Sequence, residues 1–147
     1  MAHAQQTVTV HRPVGEVFAY LAEGTNNRRW RDGVLEIERV SGDGGVGTTY
    51  RQVLKGPGGR RIDGDYRVTA YEQPNLLAFE VVAGPLRPVG RYELAAEGAQ
   101  ATTVTFTLDA QPKGIMKLMG PVIGKQMQSE VGHVADLKRD LESGALG

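Results

Sequence analysis

The sequence predicts an α+β fold in which a curved antiparallel sheet of seven strands wraps around one long C-terminal helix. From residue 34, apolar and polar residues alternate with a period of two for about 75 residues, which is typical of strands. The connections between these stretches are short and rich in Gly and Pro, which favours antiparallel neighbours. After Lys113 the apolar spacing becomes helical. A chain of 147 residues suits a single domain, which we assign to residues 1–147.

Each strand is predicted from its alternation. The first lies within QTVTVHR, and the other six are predicted at residues 34–40, 48–55, 60–72, 76–83, 89–96 and 101–110. After the first strand, Pro13 suits the first turn of a helix. That helix has an apolar face at Val14, Val17, Phe18 and Leu21. A second short helix or turn is expected at residues 24–29, so two short helices separate the first two strands.

The C-terminal segment has helical apolar spacing but contains Pro121. Proline lacks a backbone donor, so we predict a short turn up to Met119, a kink at Gly120 and Pro121, and a main helix to about Glu142. The predicted apolar face comprises Ile115, Leu118, Met119, Val122, Ile123, Met127, Val131, Val134, Leu137 and Leu141. The methionines at 116, 119 and 127 adapt to irregular apolar shapes. They are expected either to line a space whose occupant varies or to fill a solid core.

The alternation also divides the sheet into two faces. The inward set holds tyrosines, phenylalanines, aliphatic residues and one glutamine, with almost no charge, and it suits an apolar ligand oriented by Tyr hydroxyls. Residues 34–40 stay ambiguous, because Leu35 and Ile37 oppose Val34 and Val40. We predict that a ligand is bound by Trp30, Tyr50, Gln52, Tyr66, Val68, Phe79, Val81, Tyr92, Phe106, Met116, Met119, Ile123 and Met127.

The chain resembles the START-like superfamily, in particular the polyketide cyclase/dehydrase and lipid-transport group often called SRPBCC proteins. The resemblance covers nearly the whole chain and is carried by TVTVHRPVGEVFAYLAEGTNNRRWRDGV, VGTTYRQVLKGPGGR, DYRVTAYEQPNLLAFEVVAGP, TTVTFTLD and KGIMKLMGPVIGKQM. Its most family-like piece is Pro-x-x-x-Val-Phe-x-Tyr-Leu at residues 13–21, followed by Trp30. The resemblance implies a helix-grip fold with a cavity between the C-terminal helix and the sheet. It is specific for the fold and supplies no invariant catalytic motif, because members carry out several unrelated activities.

Charge and composition argue against several classes of function. Lys and Arg total 17 and Asp and Glu total 17, so the positive excess that nucleic-acid binding requires is missing. The one basic cluster with an aromatic residue (Arg28, Arg29, Trp30 and Arg31) is interpreted as a solvated turn with a packed tryptophan. No apolar run reaches the roughly 18 residues of a membrane span, so we expect no stable membrane insertion. The lack of cysteine and of a visible secretory signal fits a cytoplasmic location.

Two further patterns in the sequence bear on possible sites. GDGGVG at residues 42–47 satisfies G-x-G-x-x-G, but a strand follows it rather than a helix, so a hairpin loop is expected instead of a nucleotide site. No histidine has a partner at metal-ligand spacing, and we expect neither a metal nor another cofactor. The catalytic residues are unknown, and the weak candidates are Tyr66 and Tyr92 as hydrogen-bond donors and His133 as a base.

Three functions from different classes remain. We favour binding of a small hydrophobic or amphipathic ligand, such as a lipid, polyketide or aromatic metabolite, between the C-terminal helix and the sheet. The alternative is a polyketide cyclase or dehydratase, working without metal or nucleotide and using tyrosines in the cavity. The third is an interaction domain or a homodimer. The ligand's identity, any reaction and the oligomeric state do not follow from the sequence.

Overall fold

A computed structural model of the chain describes residues 2–84 and 86–143, so Met1, Pro85 and residues 144–147 of the predicted domain lie outside the described residues. Within the described residues, eight strands form one antiparallel sheet: β1 (Ala2–Val10), β2 (Val34–Ser41), β3 (Thr49–Lys55), β4 (Arg61–Asp63), β5 (Tyr66–Glu72), β6 (Leu76–Val81), β7 (Val89–Ala96) and β8 (Thr102–Ala110). Their order across the sheet is β1-β8-β7-β6-β5-β3-β2, and β4 pairs with β3. The first strand therefore closes the sheet against the last.

The helices lie between β1 and β2 and after β8. α1 (Val14–Ala22) and α2 (Asn27–Trp30) are joined by a 3-10 turn at Gly24–Asn26 and connect β1 to β2, as predicted. After β8, a 3-10 turn at Gly114–Met119 leads into α3 (Gly120–Gly132) and α4 (Val134–Glu142). Both helices pack against β1, and α3 also packs against β8. A curved antiparallel sheet gripping a C-terminal helical segment is the predicted helix-grip fold.

The predicted long C-terminal helix is confirmed and reaches Glu142, with a one-residue interruption at His133 that divides it into α3 and α4. At His133 the backbone N–H bonds to the carbonyl of Glu130, three residues back, at 3.2 Å, so the turn tightens. The His133 ring also lies 2.9 Å from Asp136 Oδ2. Pro121 stands in the first turn of α3, where its missing donor costs little, so the helix begins there. The two helices still share one buried face, formed by Ile123, Met127, Val131, Val134, Leu137 and Leu141.

The predicted strand at residues 60–72 is two strands, β4 and β5, in one register. Both lie antiparallel to β3, with Val53 opposite Asp63 and Tyr50 opposite Tyr66. The break arises because a side chain replaces a backbone partner: Asp65 Oδ1 accepts the hydrogen bond from the Gln52 N–H at 3.1 Å.

The ambiguity of the second strand has a structural cause. The register of β2 against β3 shifts between Val34 and Glu36, and again near its end. A bulge changes which side chains face inward. Val34 is buried before the shift, whereas Ile37 packs against the core after it and Val40 is exposed. A strict alternation of two therefore cannot describe this strand.

The inward face of β5 to β8 is buried as the alternation predicts. Its buried residues are Tyr66, Val68, Leu77, Phe79, Val81, Gly90, Tyr92, Leu94, Val104, Phe106 and Leu108. Gly90 fits here because a Cβ at its position would lie 2.3 Å from the Phe79 ring. The glycine in β7 thus makes room for an aromatic residue in β6.

The apolar face predicted at the start of the C-terminal segment is partly wrong. Ile115 is 78% exposed and Leu118 is 83% exposed. Both lie in the 3-10 turn, where residues three apart are eclipsed, so these two side chains share one outward edge. Met116 and Met119 share another edge of the same turn, which faces the sheet side.

The Glu142 carboxylate at the end of α4 contacts the chain just after β1. Glu142 Oε2 accepts hydrogen bonds from the His11 backbone N–H at 2.7 Å and from Lys138 Nζ at 2.7 Å, and it lies 2.8 Å from His11 Nδ1. The hydrogen bonds from Lys138 and from the His11 backbone lower the pKa of Glu142 to about 2.

Because this pKa is lowered in the folded state, Glu142 contributes stability above its unfolded pKa of about 4.3, and that stability is lost as pH falls toward 2. We expect Glu142→Gln to lower the free energy of unfolding at pH 7, with the difference from wild type narrowing between about pH 5 and pH 2. Urea unfolding across this range measures it. The matched control is Glu72→Gln, because that exposed carboxylate forms no ion pair within the described ranges. An equal loss at pH 7 and pH 2 would contradict the assignment.

Candidate functional site

A cavity of about 390 Å³ lies between α3 and the sheet. Among the described residues nineteen line it, and twelve of these are apolar: Leu54, Ile62, Phe79, Val81, Leu86, Pro88, Leu108, Met116, Met119, Val122, Ile123 and Met127. The others are Gly64 and the polar residues Arg31, Gln52, Arg60, Asp63, Gln126 and Glu130. The volume is within the roughly 300–1,000 Å³ range of small-molecule sites. The cavity can therefore enclose an apolar molecule and offer it a few polar contacts.

A buried ion pair lies at the closed end of this cavity. Arg31 donates two hydrogen bonds to Glu130 Oε2, from Nε at 3.0 Å and from Nη2 at 2.9 Å. Arg31 is 4% exposed and Glu130 is 7% exposed. Charges this deep are tolerated when they are paired and hydrogen-bonded. The positive and negative charges of the pair cancel. Burial lowers the pKa of Arg31 and the Glu130 carboxylate raises it, and the pKa is raised overall.

Two aromatic side chains flank the Arg31 guanidinium, and the backbone packs against its partner Glu130. Its central carbon lies 5.5 Å from the Phe106 ring centre and 6.0 Å from that of Trp30, so two aromatic faces support the cation. The backbone also approaches closely, because a Cβ at Gly33 would lie 2.5 Å from Glu130 Oε1. Trp30 and Phe106, both predicted to bind ligand, thus lie behind Arg31 and do not line the cavity.

This ion pair was missed in the sequence. The basic cluster was interpreted as a solvated turn, which describes Arg28 and Arg29 but is wrong for Arg31. The inward face of the sheet is almost uncharged. The positive charge comes from Arg31, just after α2, and the negative charge comes from Glu130 in α3. The available signal was Glu130, which lies three residues after Met127 and four before Val134 and so on the apolar helix face. A carboxylate at such a position requires a buried cation.

Gln52 adds to the cavity wall a polar atom whose hydrogen-bonding capacity is not satisfied. Its Nε2 donates to the Gly64 carbonyl at 3.2 Å, which fixes the orientation of the amide. Its Oε1 is buried and has no hydrogen-bond partner in the part of the chain that the structure describes. An unpaired buried acceptor is costly, so a donor supplied by a bound molecule would be stabilised there.

The predicted tyrosines face a different and much smaller space. A pocket of about 20 Å³, enough for a water molecule, is lined by Tyr50, Tyr66 and Tyr92 together with Val68. The Tyr50 hydroxyl accepts a hydrogen bond from the Gly24 N–H at 3.3 Å, and Asn27 Nδ2 donates to the Tyr66 hydroxyl at 3.2 Å. These phenols connect the 3-10 turn and α2 to the sheet. They do not line the larger cavity.

The pKa values of these tyrosines fit a structural or hydrogen-bonding role. Burial raises the pKa of Tyr66 and of Tyr50, and it raises the pKa of Tyr92 to about 12 although the Arg31 guanidinium opposes the rise. All three phenols are neutral at pH 7. They can donate or accept hydrogen bonds, but they do not supply a base.

The other predicted site residues divide between the cavity and its surroundings. Gln52, Phe79, Val81, Met116, Met119, Ile123 and Met127 line it. His133, the third catalytic candidate, does not, because it lies at the junction of α3 and α4. Within the described ranges, no group of three His, Cys, Asp or Glu residues is arranged to hold a metal ion, and no helix is long and apolar enough to cross a membrane.

The cavity and the helix-grip fold together define a START-like protein. The family model for polyketide cyclase/dehydrase and lipid transport matches residues 1–142, and the chain belongs to that family. Among curated proteins, none matches the sequence.

Solved structures share the fold at low identity. A Thermus thermophilus protein superposes with a TM-score of 0.81 at 18% identity, covering 96% of this chain and 97% of the other. The Zhui aromatase/cyclase of a Streptomyces species gives a TM-score of 0.79 at 15% identity, with 99% and 98% covered. A START superfamily protein of Mycobacterium smegmatis gives 0.77 at 15% identity, with 97% and 99% covered. Such identities establish the fold and no activity.

The buried ion pair between Arg31 and Glu130 should affect the free energy of unfolding strongly. We expect Arg31→Met to lower the free energy of unfolding by about 3–5 kcal/mol, because it leaves the Glu130 carboxylate buried without its cation. The double variant Arg31→Met/Glu130→Met should recover most of that loss, since neither charge remains. Urea denaturation of the single and double variants measures both effects.

The matched control is Arg51→Met, which removes an exposed arginine paired with Glu36 and Glu38. Surface pairs contribute about 0–1 kcal/mol, so this variant should change little. If Arg31→Met costs no more than Arg51→Met, the guanidinium is not buried against Glu130.

Proposed function

We propose that the cavity between α3 and the sheet binds a small, mainly apolar molecule that carries an uncharged polar group. The observation that supports this function best is the cavity itself, with its volume of about 390 Å³ and its largely apolar lining. Methionines at three positions of the helix side give the lining an adaptable shape. A lipid, a polyketide or an aromatic metabolite has the required chemistry.

The polar residues at the closed end restrict the ligand's head group. The charge of Arg31 is already balanced by Glu130 through two hydrogen bonds. At this closed end a ligand carboxylate would lie near the Glu130 carboxylate, and the Arg31 cation beside it is already paired, which is unfavourable in a buried site. A hydroxyl can instead donate to Gln52 Oε1, the acceptor that lacks a partner among the described residues. We therefore infer that a hydroxyl of the ligand, and not a carboxylate, occupies the closed end, whereas Arg60 lines an exposed part of the cavity.

The geometry supports binding better than catalysis. Ring closure on a polyketide needs a carbonyl-polarising donor and a proton acceptor facing one chamber. Tyr66 and Tyr92 face the small inner pocket, and His133 lies outside both spaces. Glu130 faces the cavity but is held by Arg31. Ligand binding requires none of these groups to act as an acid or a base.

A charge placed at the cavity mouth should prevent binding. Met119 lines the cavity from the 3-10 turn, whereas its neighbour Leu118 points outward and does not line it. We expect Met119→Glu to weaken binding of the neutral fluorescent probe N-phenyl-1-naphthylamine at least tenfold, because ligand binding would desolvate the new carboxylate. Fluorescence titration measures the change.

Leu118→Glu is the matched control and should bind the probe like the wild type. Thermal unfolding of both variants checks that the fold is retained. We expect it to be retained, because both substituted side chains are exposed. Equal affinity in wild type, Met119→Glu and Leu118→Glu would show that the probe binds elsewhere. No binding by the wild type, to this probe or to long-chain alcohols, would contradict the proposed function.

A further inference from the structure

The most unusual surface of the protein lies beside the cavity mouth, at residues 113–125, which we name the rim segment. Of the nine large apolar side chains that are exposed in the described part of the chain, four lie here: Ile115, Leu118, Met119 and Val122. The other five are scattered over β2, the glycine-rich loop and the sheet. Single exposed apolar residues are ordinary, but a contiguous group marks an interaction surface.

The rim segment is also basic, although the whole chain is neutral. From residue 110 to residue 129 the sequence contains Lys113, Lys117 and Lys125 and no Asp or Glu. All three lysines are exposed, and none forms an ion pair with a described residue. Of the eight Lys and Arg residues that form no ion pair with a described residue, these three therefore lie together in one segment that has no acidic residue.

The size and chemistry of the segment fit a lipid surface better than a protein partner. Protein interfaces bury about 800 Å² on each side and are enriched in aromatic residues, whereas the rim segment offers four aliphatic or methionine side chains and no aromatic residue. Exposed apolar side chains flanked by lysines are suited to the boundary of an anionic bilayer, where the chains enter the interface and the lysines remain at the head groups.

The rim segment both lines the cavity mouth and extends outward from it. Met116, Met119 and Val122 line the cavity, while Ile115 and Leu118 extend outward from the same turn. A bilayer that contacts the outward edge would therefore face the cavity mouth. The N-terminal end of α3 carries glycines at 120 and 124 with nothing within 4 Å of a Cβ added there, whereas Ile123 between them is buried in the core.

We propose that the rim segment docks the protein on anionic membrane surfaces, with the cavity mouth facing the lipid. Ile115 and Leu118 enter the interface, and Lys113, Lys117 and Lys125 contact the anionic head groups. Docking needs only these exposed residues. The further step, in which an amphipathic molecule passes between the bilayer and the cavity, rests on the proposed function.

Vesicle co-sedimentation tests the docking. We expect the wild-type protein to bind vesicles of phosphatidylcholine mixed with phosphatidylglycerol and not vesicles of phosphatidylcholine alone. Replacing Lys117 with Gln should weaken binding about fivefold, since each lysine near an anionic surface contributes about 1 kcal/mol. Raising the salt from about 0.1 M to 1 M should release the protein, because the screening length falls from about 10 Å to about 3 Å.

The apolar contribution is tested by Leu118→Glu, with Val46→Glu as its matched control. Val46 is 66% exposed and lies in the loop between β2 and β3, away from the rim segment. We expect Leu118→Glu to abolish binding to the phosphatidylglycerol vesicles and Val46→Glu to leave it unchanged. Equal binding by both variants, or binding that ignores lipid charge, would overturn the proposal.

Two further outcomes separate this proposal from its alternatives. If light scattering shows a dimer that Leu118→Glu converts to a monomer, a second copy covers the segment and the lipid proposal is wrong. Probe binding is measured on the same proteins. Loss of vesicle binding in Leu118→Glu with intact binding of N-phenyl-1-naphthylamine supports both proposals, whereas vesicle binding by a wild type that binds no probe supports docking and contradicts the proposed function.

Discussion

The buried ion pair between Arg31 and Glu130 is the constraint on which the rest of the site depends. It joins the chain after α2 to the last turn of α3, and the aromatic faces of Trp30 and Phe106 support its cation. Two charges can remain there because each satisfies the other, so neither can be removed cheaply. The pair fixes α3 at one end of the cavity, while at the other end Ile123 of the rim segment is buried and four of its apolar side chains are exposed.

The different packing at the two ends of α3 explains why a cavity exists. Toward its C-terminus, Met127, Val131 and the first residue of α4, Val134, are buried against the sheet. Toward its N-terminus, the 3-10 turn directs Ile115 and Leu118 outward and leaves Met116 and Met119 along the cavity. A solid core would have required the outward pair to face the sheet. The methionines therefore line a space and do not fill it completely.

The sequence predicts the parts of this structure that depend on periodicity. The inward face of β5 to β8, the two short helices and the C-terminal helical segment follow from alternation and helical spacing. Other features depend on contacts between distant residues. The Asp65 side chain that divides β4 from β5 acts across strands, the bulge in β2 shifts its faces, and the buried state of Arg31 depends on a carboxylate 99 residues away. Tyrosines on the inward face were predicted to contact the ligand, but alternation does not show that Gly24 and Asn27 would reach two of their hydroxyls first.

The most direct measurement of an open apolar cavity is an NMR titration of protein labelled with carbon-13 at the methionine methyl groups. Met116, Met119 and Met127 line the cavity from two successive elements, so a molecule bound there contacts all three. On addition of N-phenyl-1-naphthylamine, the three methyl signals are expected to shift together and to saturate at one equivalent. Saturable binding that leaves the Met127 signal unchanged would contradict a ligand site between α3 and the sheet.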